Sequence, residues 1–119
     1  HTFLWWVEGD SRLSTKARSA ITASDYGVSL VSAWEMAIKS SIGKLKLTVP
    51  VAKYFVEHVA TNSFVAVPID LRHIALVESL PFHHGDPFDR LLVAQALSLG
   101  IAIVSADKVF TRYGVKRIY

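Results

Sequence analysis

The 119-residue chain contains no cysteine, which excludes a disulfide framework and a zinc–thiolate site and suits a reducing, cytoplasmic setting. Charged residues are scarce, 19% against 51% hydrophobic, and that balance excludes a disordered chain. No apolar run approaches the ~20 residues that a membrane span requires, and no signal peptide is visible. Internal repeats, linkers and low-complexity tracts are missing. So is a glycine-rich phosphate loop closing in Lys-Ser/Thr, which argues against a GTPase. The sequence opens on His1 with no methionine.

What is there suffices for one domain with a sizeable core, expected to run over residues 1–119. A net charge of +3 mildly favours an anionic partner, nucleic acid being the commonest. Short apolar or β-branched runs alternate with helical patterns. Thr2 to Glu8 reads as a helix stopped at Gly9, and Ser14 caps a second through Ala23. Residues 27–31 (GVSLV) read as a strand, after which Ser32-Ala33-Trp34-Glu35 opens a helix ending at Gly43. Val51 to Ala60 is helical, Phe64 to Val67 a strand, and Asp70 caps a helix through Ser79. Asp86, with Pro87 at the first helical position, starts a helix through Leu99. Its apolar positions Phe88, Leu91, Leu92, Ala96 and Leu99 fall at helical spacing. Ile101 to Val104 is a continuous apolar run of the kind buried on both faces of a parallel sheet. A short helix near Asp107 to Phe110 then leads to an edge strand at VKRI. This alternation predicts an α/β fold, a three-layer sandwich with a central, mainly parallel sheet flanked by helices.

In such folds helix starts and strand ends share one edge of the sheet, the edge where ligands bind. Glu35, Asp89 and Asp107 are expected there. Each has a plain alternative, because Ser32-x-x-Glu35 is a capping box, Asp86-x-x-Asp89 resembles one, and Asp107 follows a Ser105 cap. Acids in first turns complement the helix dipole by about 0.3–1 kcal/mol each. Taken jointly, carboxylates crowded within ~4–6 Å repel one another unless a cation neutralises them. An oxygen-rich set without cysteine suits Mg²⁺ or Mn²⁺. His83 and His84 lie in the loop before Asp86 and read first as surface or packing residues that help shape the rim.

Four stretches, HTFLWWVEGD, SAWEMAIKSSIGKLKL, HHGDPFDRLLVAQAL and IVSADKVFTRYGVKRI, resemble successive landmarks of PIN-domain ribonucleases, specifically VapC toxins of type II toxin–antitoxin pairs. The resemblance covers essentially the whole chain. It implies a Mg²⁺- or Mn²⁺-dependent acidic pocket that hydrolyses RNA, in which Glu35, Asp89 and Asp107 are the metal-binding and catalytic acids. Asp86 is the helix cap with a place in the outer shell. The family also begins with a short apolar strand ending in an acid, so such a strand is expected upstream of His1. Lys39, Lys44, Lys46, Arg90, Lys108 and Arg112 are candidate phosphate contacts, with Lys39 equally able to pair with Glu35 at i+4. Trp5 and Trp6 read as core residues with partial exposure. They are also candidates for binding the cognate antitoxin that the resemblance implies, along with a homodimer and no membrane association. The main alternative is a non-catalytic RNA-binding or protein-interaction module. A phosphoryl-accepting receiver domain would need an early acidic pair that the sequence does not show.

Overall fold

A computed structural model describes all residues from His1 to Tyr119. In chain order the elements are α1 (Thr2–Glu8), α2 (Thr15–Ala23), β1 (Gly27–Ser29), α3 (Leu30–Ser41), α4 (Val51–Thr61), β2 (Val65–Val67), α5 (Leu71–Ser79), α6 (Pro87–Leu99), β3 (Ile103–Val104), α7 (Val109–Arg112) and β4 (Arg117–Ile118). Helices alternate with strands that pair in parallel, so the fold is α/β as the sequence order requires. The strands form two parallel pairs, β1 with β2 and β3 with β4. Each pair belongs to its own compact unit, one made of His1–Ser24 with Asp70–Tyr119, the other of Asp25–Ile69.

In the first unit the core gathers Leu80, Val93, Ala94, Ala96, Phe110, Tyr113 and Val115, with Leu76, Val77 and Leu92 packed against it. Helix α6 is the centre of this packing. Arg90, Leu91, Val93, Ala94, Gln95 and Ala96 are all buried, so its middle is enclosed on nearly every side. The single apolar stripe expected from spacing is therefore too narrow, and Leu99 at its far end is 46% exposed. The helix starts as predicted, with Asp86 Oδ1 accepting the N–H groups of Phe88 (2.8 Å) and Asp89 (3.1 Å). It stops at Gly100, whose φ of 66° is the left-handed conformation glycine tolerates best. That exit draws in the next residue, since the Ile101 N–H bonds back to Ala96 O at 3.1 Å. Strand β3 consequently keeps only Ile103 and Val104, both half-buried, where a longer run buried on both faces was expected. Thr2 Oγ1 donates to Val104 O at 3.0 Å and fastens α1 to that strand.

In the second unit β1 and β2 run in register Gly27↔Val65, Val28↔Ala66 and Ser29↔Val67. Gly27 is needed here, because a Cβ at this position would lie 2.7 Å from Val67 Cγ2. The strand is shorter than the sequence suggests, and α3 starts earlier. Ser29, not Ser32, is the N-cap, its side chain accepting the Val31 N–H at 3.0 Å. Val31 is thus a buried helical residue, and Glu35 falls in the second turn, outside the reach of a capping box. Two serines three residues apart offer equivalent local signals; burial of Val31 accompanies the earlier one. Ser29→Ala should cost about 1 kcal/mol of stability in urea unfolding, the usual worth of a lost cap. Ser32→Ala should fall within about 0.5 kcal/mol, as a surface-type change does. The reverse order would restore Ser32 as the cap.

Candidate metal centre

The loop between α5 and α6 and the first turn of α6 build one cluster. His84 Nε2 lies 2.9 Å from Asp89 Oδ2. One ligand atom each from His84, Asp86 and Asp89 lies within 4.8 Å of the others, and all three residues are half-buried. Asp86 spends Oδ1 on capping α6. Asp89 therefore answers to two descriptions at once: an acid in a first turn, and the acceptor of an imidazole from the preceding loop.

The electrostatics single out Asp89. Burial pushes its carboxyl above the ordinary value, repulsion from Asp86 adds to the rise, the His84 hydrogen bond opposes it, and Asp107 contributes a smaller upward push. Asp107 lies after β3 and is exposed. Its Oδ1 accepts the Val109 N–H at 2.9 Å and its own N–H donates to Ser105 Oγ at 3.1 Å. Its capping reading therefore holds locally, while its charge reaches Asp89.

This donor set fits a divalent ion. Around an ion bound at ~2.1 Å, neighbouring octahedral ligands stand ~3 Å apart and opposite ones ~4.2 Å. His84 Nε2 and Asp89 Oδ2, 2.9 Å apart, match a neighbouring pair, and one ligand atom from each of the three residues lies within 4.8 Å of the others. A cation would also relieve the repulsion that raises Asp89.

Glu35 belongs to the other unit, where its Oε2 pairs with Lys39 Nζ at 2.8 Å, the i+4 partnership the spacing allowed. Of the basic residues, Lys44, Lys46, Lys108 and Arg112 are exposed and Lys39 is half-buried. Arg90 is a correction. It is buried, its Nη1 donating to Pro81 O (2.9 Å) and Tyr113 Oη (3.2 Å), its Nη2 to Val77 O (3.2 Å) and Leu80 O (3.3 Å), so it is not a surface phosphate contact. Carbonyls at the end of a helix have no intrahelical partner, and this guanidinium supplies one. The Phe82 ring stacks on it, 4.0 Å from the guanidinium carbon. Trp5 and Trp6 are half-buried as expected, with Arg12 5.1 Å from the Trp5 ring and Arg18 5.7 Å from that of Trp6.

His84 is the site residue that sequence reasoning undervalued. Its signal was its place in HHGDPFD, two residues before a helix cap and five before the acid. A tight turn into the helix start can fold such a residue back onto the first turn.

Residues 1–116 match the family model described as PIN domain. Over 112 residues the chain is 32% identical to Ribonuclease VapC22 of Mycobacterium tuberculosis, an alignment covering 91% of this chain and 83% of that protein. No solved structure matches the chain.

Proposed function

The chain belongs to the PIN-domain family, among its VapC ribonucleases, and from that premise we propose that it hydrolyses RNA phosphodiester bonds with Mg²⁺ or Mn²⁺, as the toxin of a toxin–antitoxin pair. The observation that carries this reading is the convergence of His84, Asp86 and Asp89, with the charge of Asp107 close enough to raise the Asp89 carboxyl. Residues 1–119 are read as one PIN-like domain, because the family match runs through both compact units.

Asp89, the free oxygen of Asp86 and His84 Nε2 would hold the ion, Nε2 as a lone-pair donor once the proton it shares with Asp89 in the metal-free protein has passed to solvent. A bound divalent cation polarises the phosphate and lowers the pKa of the attacking water. The protein's own part is to supply negative charge in fixed positions. Asp86 is oriented by the two N–H groups it caps, and Asp89 by the imidazole and the helix turn that carries it. Asp107 adds charge that favours cation over proton. Lys108 and Arg112, exposed on or beside α7 in the same unit, are proposed as RNA phosphate contacts. Trp5 and Trp6 are proposed for the antitoxin contact.

Purified protein incubated with single-stranded RNA should cleave it in Mn²⁺ or Mg²⁺ and stop in excess EDTA. Cleavage that survives EDTA would reject the metal-dependent reading, and none with either ion would favour the non-catalytic module instead. Glu35 is assigned through its motif match. Glu35→Gln should lower cleavage at least tenfold; an undiminished rate would leave Glu35 as the partner of Lys39 only.

A further inference from the structure

Tyr113 follows α7 and Arg90 lies on α6, and both are buried, 8% and 5% exposed. Together they grip the loop that carries His84. Tyr113 Oη accepts the His84 N–H at 3.0 Å and donates to His84 O at 3.3 Å. Its other lone pair receives Arg90 Nη1 at 3.2 Å. A phenol has one proton and two lone pairs, so this hydroxyl is fully used. Through Pro81 O, Arg90 fastens the opposite end of the same loop at 2.9 Å. The His83 ring meets the Tyr113 ring edge-on, 4.9 Å between centroids and at 72°.

We propose that Tyr113, locked by Arg90, is a positioning residue that fixes the His84 imidazole at Asp89 as a donor for the ion. The inference rests on the metal-dependent reading above and deepens it. His84 sits in a loop with no helix or strand to set its backbone, and its side chain is 35% exposed. Nothing in such a stretch would hold an imidazole within hydrogen-bond range of a carboxylate. A hydroxyl that binds both the N–H and the C=O of one residue restrains the two peptide planes that flank its Cα, and with them the direction of Cβ. Neighbours that orient a metal ligand typically change metal affinity or activity by about 10–100-fold when removed. The ring of Tyr113 belongs to the core, whereas its hydroxyl serves the loop, so Tyr113→Phe separates the two roles.

The test uses the full chain with Mn²⁺ as probe, following free Mn²⁺ by electron paramagnetic resonance and RNA cleavage in parallel. Y113F should weaken Mn²⁺ binding about tenfold or more and lower kcat comparably, while KM for RNA changes less than twofold. His84→Ala should weaken Mn²⁺ binding similarly, and Y113F should add little in that background, since the two act through one donor. A folded Y113F with wild-type Mn²⁺ affinity, or one whose loss simply adds to that of His84→Ala, overturns the proposal. If Y113F does not fold, His84→Ala alone decides, and unchanged Mn²⁺ affinity there overturns it as well. Asp89→Asn serves as the control. Wild-type Mn²⁺ binding in that variant sinks the metal reading itself, whereas its loss beside a normal Y113F sinks only the positioning role.

Discussion

Asp89→Asn is expected to reduce RNA cleavage by about three orders of magnitude. An ion at a phosphoryl site supplies several kcal/mol of transition-state stabilisation, and each 1.36 kcal/mol is a factor of ten. Asparagine keeps the shape and a hydrogen-bonding group for His84 but removes the charge that would hold the cation. The same substitution should stabilise the metal-free protein. The Asp89 carboxyl is held above its ordinary value, chiefly by burial, so the folded state resists ionisation more than the unfolded chain does. Stability is fully retained below the unfolded pKa and falls as pH rises through the folded one. Asparagine has no proton to lose. Without metal, D89N should therefore melt above the wild type near neutral pH, and the gap should close as pH drops below the ordinary carboxylate range. With Mn²⁺ at a hundred times its Kd the wild type gains about 2.7 kcal/mol and D89N gains none, so the order reverses. Thermal melts at several pH values, with Mn²⁺ or EDTA, check both halves. A D89N protein that cleaves normally and still responds to Mn²⁺ would reject the site.

Arg90→Met should be the most destabilising single change near the site, costing about 3 kcal/mol or more in urea unfolding. Hydrogen bonds to a charged group contribute about 1.5–3 kcal/mol each, and the buried acceptors left behind carry a further penalty. Methionine fills much of the volume, but Leu80 O and Pro81 O lose the guanidinium outright, while Val77 O and the Tyr113 hydroxyl are left with one donor each, the N–H groups of Leu80 and His84. For a domain of this size the loss corresponds to a fall in Tm of roughly 10 °C. Lysine should not rescue it, since a single ammonium cannot reproduce a planar fork reaching four oxygens. A change below about 1 kcal/mol would mean that water substitutes for the guanidinium. Because Arg90 directly follows Asp89, a loss of cleavage in its variants must be read against the folded fraction before any catalytic role is assigned.

What was legible in the sequence was local. Asp86 and Pro87 announce the start of α6, Gly100 its end, Ser14 and Asp70 the caps of α2 and α5, and each rule involves only residues within one turn. The alternation of helix and strand follows from the same signals, and so does the parallel pairing. What was not legible depends on chain that is distant or equivalent. Ser29 and Ser32 are equally good caps, and the choice between them moved Glu35 out of a first turn. Arg90 looks like one more surface cation; the carbonyls that accept it belong to the end of another helix, and its phenol partner stands 23 residues on. His84 meets Asp89 from a loop whose backbone that same phenol binds. Hydrophobic periodicity does not encode such links, for they are set by polar groups satisfying one another inside the core.

The two units also differ in how they are threaded. Residues 25–69 form one continuous stretch, whereas the unit that carries His84, Asp86 and Asp89 is split between the beginning and the end of the chain. During synthesis α1 and α2 leave the ribosome long before their partners exist; the bond from Thr2 to Val104 cannot form until a residue 102 positions further on has emerged. Tyr113, which holds the His84 loop, arrives later still. The nascent polypeptide thus exposes Trp5 and Trp6 early, and its acidic centre gains a fixed geometry only after both the helix that carries Asp89 and the phenol behind its loop have been made.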